Sequence, residues 1–292
     1  MNRTHVAVIF GGMSSEHSIS CLSAANVVAA IDRERFDVSG VGITPDGVWV
    51  RYGVDEIPGL PSTGQLPVVE VGDRSLVSVK QMPEGTCIVG TEGNADLVQV
   101  VFPVLHGPFG EDGTIQGLLE MAGVRYVGCG VAASANCMDK HLTKMILAEA
   151  GVLVGPYVVV RDHEWREDRN AVLKAASRLE YPLFVKPARG GSSIGISKVM
   201  SPDRLEAAIE VAREHDNKVL IEQGIRGREI ECSVLDGHHG AAPRASVPGE
   251  IVVHDPDGFY DFEAKYLSGE QKASVQARAK LDDEIRNRVQ KV

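Results

Sequence analysis

Apolar residues along this 292-residue chain recur at two spacings, one typical of strands and the other typical of helices. His5–Phe10 is a short apolar run that predicts a strand. A Gly-Gly turn follows it, and Ser14–Asp32 then carries apolar residues at helical spacing. Asp96–Phe102 and Thr114–Ala122 repeat this order of buried strand, glycine-rich turn and helix. The alternation predicts an open α/β sheet with ligand-binding turns at the carboxyl ends of its strands.

The second half of the chain continues the alternation of helices and strands. We expect helices at Asp139–Ala150, Asn170–Leu179 and Pro202–Glu214, and strands at Tyr157–Val160, Lys218–Glu222 and Glu229–Leu235. The expected division has three parts: an N-terminal α/β domain over residues 1–128, a central subdomain over 129–222 and a C-terminal subdomain over 223–292.

The stretch from Phe184 to Val199 (FVKPARGGSSIGISKV) carries the clearest chemical signal. Lys186 ends an apolar run and precedes a turn rich in glycine and serine. Glycines let backbone N–H groups approach a ligand closely, and a lysine offers a positive charge to a phosphate. Ser192 and Ser193 add hydroxyl donors. The flanking segments predict two strands, so the turn is a hairpin tip, which fits a nucleotide lid and an ordinary flexible hairpin equally well.

Composition and charge exclude several classes of function. The net charge is −10, and no basic stripe with interleaved aromatic residues marks a nucleic-acid surface. The apolar runs are too short to span a membrane and the N-terminus lacks a signal-peptide pattern, so we expect a cytoplasmic protein. The five cysteines have no C-x-x-C spacing, which indicates neither a zinc site nor a disulfide framework.

Several sequence blocks resemble, in order along the chain, those of the D-alanine–D-alanine ligases, a family of ATP-grasp enzymes. The blocks are VAVIFGGMSSEHSIS near the start, HGPFGEDGTIQGLLE at 106–120, MDK at 138–140, VLIEQGIRGREI at 219–230 and FYDFEAKYL at 259–267, together with the lysine–glycine–serine hairpin. The resemblance implies an N-terminal open α/β (pre-ATP-grasp) domain that binds substrate, followed by an ATP-grasp fold. It also implies that ATP drives the joining of two D-alanines through an acyl phosphate, for peptidoglycan synthesis, and it allows a homodimer.

The resemblance implies a nucleotide site built from five residues. Lys140 and Lys186 would contact the phosphates of ATP, with Ser193 beside them in the hairpin. Glu222 resembles the carboxylate near the adenine amino group, and Glu229 resembles the acid that binds ribose. From the residues alone, both glutamates would instead be exposed carboxylates at strand ends. The family also uses Mg²⁺ or Mn²⁺.

The first D-alanine is expected at Glu16. By resemblance, this carboxylate receives the substrate ammonium and is linked by hydrogen bonds to Ser192 and Tyr266. His106 resembles a family histidine near the same substrate, although a structural histidine is an alternative. A helix-capping role is the simpler alternative for Glu16, because an anion is favourable at a helix N-terminus.

The segment around FYDFEAKYL bears on the second substrate. Lys265 would lie near the transferred phosphate, and Tyr266 stands where the related D-alanine–D-lactate ligases typically have a histidine. Together with Tyr260, this run favours an amine as the nucleophile over the hydroxyl of D-lactate. A D-alanine–D-lactate ligase remains the alternative, since loop residues alone rarely settle a substrate.

The C-terminal end departs from the family pattern. The family's metal ligands, in an E-I-N-like motif, would lie beyond residue 292, so we expect no metal ligands in this chain, a truncated ATP-grasp fold and an inactive fragment. The acids Asp282, Asp283 and Glu284 are better explained as the solvated first turn of a helix. The chain also fits two different functions: a metal-deficient nucleotide-binding pseudoenzyme, and a dinucleotide-binding module, which the absence of G-x-G-x-x-G makes weak.

Overall fold

The computed structural model describes residues 3–60, 66–237, 240–254 and 273–292. The chain divides into two compact units, Met1–Thr143 with Arg189–Gly191, and Lys144–Ala188 with Ser192–Val292. The finer division at residues 128/129 and 222/223 stays a prediction.

The first unit contains eight strands and three helices among its described residues. The strands are β1 (Thr4–Gly11), β2 (Phe36–Ile43), β3 (Trp49–Tyr52), β4 (Val77–Met82), β5 (Gly85–Gly90), β6 (Ala95–Leu97), β7 (Val100–Pro103) and β8 (Arg125–Tyr126). The helices are α1 (His17–Ala30), α2 (Thr114–Met121) and α3 (Val131–Met138), and a 3₁₀ helix spans Ile57–Gly59.

The main sheet of this unit confirms the predicted α/β fold. Its strand order is β3-β2-β1-β7-β8, with parallel pairing everywhere except between β2 and β3. Both faces of β1 are buried: Ala7 and Ile9 pack in one core with α2, whereas Val8 and Phe10 pack in another with α1. A continuous apolar run is what a parallel strand covered on both faces requires.

The prediction of one strand over Asp96–Phe102 is wrong. The segment forms two strands, because β6 pairs with β5 in an antiparallel sheet while β7 pairs with β1 and β8 in the main sheet. Gln99 lies at the break, where its side-chain Oε1 accepts a hydrogen bond from the backbone N–H of His5 at 2.8 Å. Apolar periodicity marks burial, but it does not reveal a change of partner strand.

The second unit also combines helices with antiparallel sheets. Its strands are β9 (Tyr157–Arg161), β10 (Leu183–Pro187), β11 (Ser197–Val199), β12 (Lys218–Gln223), β13 (Glu229–Glu231), β14 (Val234–Leu235), β15 (Arg244–Ala245), β16 (Gly249–Val253) and β17 (Ala273–Gln276). Its helices are α5 (Asp162–Glu167), α6 (Arg169–Ala176), α7 (Leu205–Arg213) and α8 (Asp283–Val289), and the boundary with the first unit falls within α4 (Lys140–Glu149).

A four-stranded sheet of order β11-β10-β12-β9 organises this unit. Alternate residues of its strands, including Val160, Val185 and Ile221, pack with α5, α6 and α7 in a buried core. The intervening residues therefore point to the other side of the sheet. We call the side that carries Tyr157, Phe184, Lys186, Leu220 and Glu222 the second face. The predicted hairpin is confirmed, since β10 and β11 are antiparallel neighbours.

Two expectations for the end of the chain need correction. Glu229–Leu235 is not one strand, because β13 pairs with β16 whereas β14 pairs with β15 in a separate sheet. The helical spacing of Leu281, Ile285, Val289 and Val292 predicts an apolar helix face that packs on a core. In the structure, however, no residue of α8 is buried and Ile285 is 44% exposed.

Candidate active site

Glu16 lies at the end of the loop that connects strand β1 to helix α1. The chain turns at Gly11 and Gly12, both with positive φ, and Glu16 occupies the N-cap position of α1. Its side chain makes no capping hydrogen bond, although the residue is only 5% exposed. Burying a carboxylate is costly unless the surroundings use its charge, so capping alone does not explain this residue.

Two glycine backbones enclose the Glu16 carboxylate. A Cβ atom at Gly191 would lie 2.7 Å from Glu16 Oε2, and a Cβ at Gly107 would overlap the same oxygen. The first glycine belongs to the hairpin tip and the second follows His106, so two distant segments meet at one side chain. Gly107 is itself fixed, because its N–H donates to Glu111 Oε2 at 2.7 Å and its φ is +70°.

His106 directly precedes Gly107 in the chain and is held at two points. Its ring Nε2 is 2.9 Å from Ser23 Oγ of helix α1, and its carbonyl accepts a hydrogen bond from Ser14 Oγ at 2.7 Å. A mainly apolar cavity of about 290 Å³ adjoins the imidazole, with Met13 and Trp49 in its wall. The predicted substrate histidine therefore borders a space that a small molecule can enter.

The loop after His106 is ordered by Asp112. Its carboxylate accepts hydrogen bonds from Phe109 N–H at 2.9 Å and Thr114 N–H at 3.0 Å. Burial raises the pKa of Asp112, but these bonds to the charged form outweigh it, so the pKa lies below its ordinary value. Phe109 adopts a positive φ of 67°, which shows that the loop holds a non-glycine residue in the left-handed region.

Lys140 is tied to the hairpin tip. Its Nζ donates to the carbonyl of Gly190 at 2.6 Å. The backbones of Asp139 and Arg189 form an isolated antiparallel β-bridge. Asp139 also caps α4, because its Oδ1 accepts from the backbone N–H groups of His141 at 3.0 Å and Leu142 at 3.3 Å. The MDK block thus anchors one end of the predicted phosphate site.

The second face of the four-stranded sheet brings together the two most specific predicted residues. Lys186 Nζ donates to Glu222 Oε2 at 2.8 Å, although the residues are separated by 36 positions. In the strand register, Glu222 lies opposite Phe184 on β10 and opposite Tyr157 on β9. A cation, a carboxylate and two aromatic rings therefore share one side of the sheet.

Lys144 is a member of this cluster that the sequence reasoning missed. Its Nζ is 3.5 Å from Glu222 Oε1 and 5.3 Å from the centre of the Tyr157 ring. Its spacing from Lys140 is the signal in the sequence, because residues four apart lie on the same face of a helix and Lys140 is a predicted phosphate ligand. Glu222 consequently faces two lysines rather than one.

The hairpin tip is held in a backbone conformation that is unusual for its residues. Ser192 and Ser193 have φ values of 49° and 60°, in the left-handed region that costs a non-glycine residue free energy. Gly195 follows with φ +70°, and a Cβ atom there would overlap the ring of His215. Such strain is concentrated at ligand clamps and switch regions, which favours the lid over an ordinary hairpin.

Comparison with known proteins identifies the family. A family model described as "D-ala D-ala ligase N-terminus" matches residues 5–129, and one described as "D-ala D-ala ligase C-terminus" matches residues 146–292. The D-alanine–D-alanine ligase of Arthrobacter sp. (strain FB24) is 50% identical, over 99% of this chain and 77% of the relative. The chain belongs to the D-alanine–D-alanine ligase family.

Solved structures agree with this D-alanine–D-alanine ligase assignment. The VanG D-Ala:D-Ser ligase from Enterococcus faecalis is 35% identical with a TM-score of 0.78, over 99% of this chain and 80% of that structure. The D-alanine–D-alanine ligase from Coxiella burnetii is 30% identical with a TM-score of 0.81, over 100% of this chain and 75% of that structure. The predicted ATP-grasp fold and the class of ATP-dependent ligases are confirmed. The predicted truncation and inactivity are not confirmed, and the alternative functions gain no support.

The remaining ligase residues are not all brought to one place. Glu229 is exposed at the start of β13, in a different sheet from Glu222, so its ribose role stays a prediction. Tyr260, Lys265 and Tyr266 lie outside the described residues.

The described residues do not supply a metal centre. Over residues 3–60, 66–237, 240–254 and 273–292, no group of three or more histidine, cysteine, aspartate or glutamate side chains could hold a metal ion. Asp282 caps α8 by accepting from Ile285 N–H at 2.8 Å, and Asp283 pairs with Arg286 at 2.6 Å. These acids thus form the first turn of a helix, as predicted.

Among the described residues, every helix is too short or too polar to cross a membrane.

Proposed function

We propose that this protein binds ATP at the second face and joins two D-alanines into D-alanyl-D-alanine for peptidoglycan synthesis. The observation that carries the proposal is the 2.8 Å contact between Lys186 and Glu222 on the face opposite the core. A largely buried cation beside a carboxylate suits a nucleotide, which offers an amino group at one end and phosphates at the other. The 50% identity to a D-alanine–D-alanine ligase supports the same assignment.

The nucleotide would lie along the second face. Glu222 accepts a hydrogen bond from the adenine amino group, while Lys186 and Lys140 neutralise the phosphates. Ser193 of the hairpin tip adds a hydroxyl donor, and Glu229 binds the ribose. Metal ions would supply charge neutralisation for phosphoryl transfer, as in this family, but the described residues contain no cluster of side chains that could hold one.

The first D-alanine would place its ammonium on the Glu16 carboxylate, beside His106. By the family resemblance, Ser192 and Tyr266 would complete the hydrogen-bond network that closes the hairpin over the substrate, and Tyr260 would belong to the same site. Closure of a lid excludes water, which protects an acyl phosphate from hydrolysis.

Two chemical steps follow. A carboxylate oxygen of the first D-alanine attacks the γ-phosphorus of ATP, forming the acyl phosphate and releasing ADP. The amine of the second D-alanine then attacks the acyl carbon, the peptide bond forms, the amine gives up a proton and inorganic phosphate leaves. By the family resemblance, Lys265 would lie near the transferred phosphate and stabilise its charge. We also propose that the chain divides into three parts, residues 1–128, 129–222 and 223–292, and that the protein forms a homodimer.

The test is phosphate release from ATP by the 292-residue protein, with D-alanine and Mg²⁺, and identification of the dipeptide by mass spectrometry. We expect D-alanine-dependent release and D-alanyl-D-alanine as the product, with D-serine and D-lactate as weaker second substrates. Nucleotide binding without any D-alanine-dependent release would reject the proposed ligation and would support the sequence-based prediction of inactivity.

A further inference from the structure

The cluster around Glu222 contains more positive charge than the pairing of one lysine with one carboxylate requires. Lys186 Nζ is 2.8 Å from Glu222 Oε2, and Lys144 Nζ is 3.5 Å from Glu222 Oε1. The three side chains are only 15–19% exposed. Each carboxylate oxygen therefore has its own lysine, and the three side chains together carry a net positive charge.

The two lysines are held in different ways. Lys186 is in β10, and this strand leads directly into the hairpin tip, which is the proposed lid. Lys144 comes from helix α4 and rests over the ring of Tyr157 at 5.3 Å, a cation–π contact that fixes its position independently of the hairpin. Tyr157 is also the direct neighbour of Glu222 across β9 and β12.

We propose that Lys144 is a positioning residue that keeps Glu222 neutralised when Lys186 turns from it towards the phosphates of ATP. The inference rests on the proposed function, since it assumes that the nucleotide occupies the second face. A largely buried carboxylate that loses its only cation is strongly destabilised. With Lys144 in place, Glu222 keeps one ion pair throughout and remains an acceptor for the adenine amino group.

The proposal predicts a different effect on nucleosides and on nucleotides. Without Lys144, Glu222 keeps only its ion pair with Lys186. The phosphates of ADP must then break that ion pair before they can bind Lys186. Adenosine has no phosphate and leaves that pair intact. Loss of Lys144 therefore weakens ADP binding far more than adenosine binding, which a purely structural lysine would not do.

The experiment compares dissociation constants of ADP and adenosine, measured by isothermal titration calorimetry. The variants are Lys144→Met, Lys144→Arg and, as a matched control, Lys174→Met, which removes an exposed lysine of α6 in the same unit. We expect Lys144→Met to weaken ADP binding about tenfold and adenosine binding less than about threefold. Arginine keeps the charge and the aromatic contact, so Lys144→Arg stays within about threefold of the unaltered protein for both ligands. The control changes neither constant.

Equal weakening of both ligands, or unchanged ADP affinity in Lys144→Met, would overturn the role of Lys144. Circular dichroism verifies folding, and Lys144→Gln replaces the methionine variant if that one does not fold. ADP binding without D-alanine-dependent turnover rejects the proposed ligation alone, because the affinity ratio still decides the role of Lys144. If the unaltered protein binds neither ligand, both proposals fall.

Discussion

Replacement of Gly107 by alanine tests whether the glycine backbone positions the Glu16 carboxylate. The φ of +70° imposes a cost on alanine of about 1 kcal/mol or more. The added Cβ would also fall well inside the 3.4 Å at which ordinary contact begins, so Glu16 Oε2 must move by about 1 Å. If Glu16 binds the substrate ammonium as proposed, a displacement of that size lowers kcat/KM by about 10²-fold.

Gly93→Ala is the matched control for this substitution. Gly93 has φ +83°, and nothing lies within 4 Å of a Cβ atom built there, so the variant carries the backbone strain without the clash. We expect urea unfolding to show a loss of about 1 kcal/mol for Gly93→Ala and a larger loss for Gly107→Ala. Of these two variants, only Gly107→Ala should lower kcat/KM for D-alanine in a phosphate-release assay.

Gly191→Ala separates the clash from the strain in the opposite sense. Its Cβ would lie 2.7 Å from Glu16 Oε2, and its φ is outside the left-handed region, so only the carboxylate is disturbed. If Gly107→Ala and Gly191→Ala both kept the kcat/KM for D-alanine of Gly93→Ala, the enclosure of Glu16 by the two glycines would have no functional meaning.

Three further substitutions test other parts of the structure. Lys186→Ala should lower kcat by at least about 10²-fold in the phosphate-release assay, and a rate equal to that of the unaltered protein would remove this lysine from the site. Asp112→Asn should cost about 1 kcal/mol at pH 7 in urea unfolding. Because the folded pKa of Asp112 is lowered, its stabilisation is present above the ordinary value of 3.8 and is lost as the pH falls through the folded pKa, so the two proteins should converge in acid. His17→Ala should cost about 2 kcal/mol by thermal unfolding, since the buried ring accepts from Val69 N–H at 2.9 Å and bonds to the Gly12 carbonyl at 2.7 Å; an unchanged Tm would contradict this.

The parallel sheet around β1 and the glycine-rich hairpin between β10 and β11 could be predicted from the sequence because both depend on local patterns. The apolar run of β1 reports burial on both faces, and the order of Lys186, glycines and serines reports a turn that backbone groups can share with a ligand. The roles of Glu16 and Glu222 were predicted from the family resemblance, because the residues next to them in the sequence do not indicate a binding site. Without it, each would have been a carboxylate at the end of an element.

The features that escaped prediction depend on partners distant in the sequence. The break between β6 and β7 arises because neighbouring residues join different sheets. The spacing of apolar residues does not indicate which strand each segment pairs with. Lys144 looks like any helical lysine until the fold brings Glu222 and Tyr157 to it. His17 belongs to the same class, because its two ring nitrogens are used by backbone groups at residues 12 and 69.

The hydrophobic pattern of β10 and β12 nevertheless determines where the charged cluster forms. Val185 and Ile221 face the buried core, so Lys186 and Glu222, their immediate neighbours, must face the other way. A register shift of one residue in either strand would bury a charge in that core and expose an apolar side chain. The free energy that specifies the register therefore comes from apolar burial, and the geometry of the lysine–glutamate contact follows from it. Reversal of the pair, with Lys186→Glu and Glu222→Lys together, should consequently preserve the fold while it removes the cation from the strand that leads into the lid.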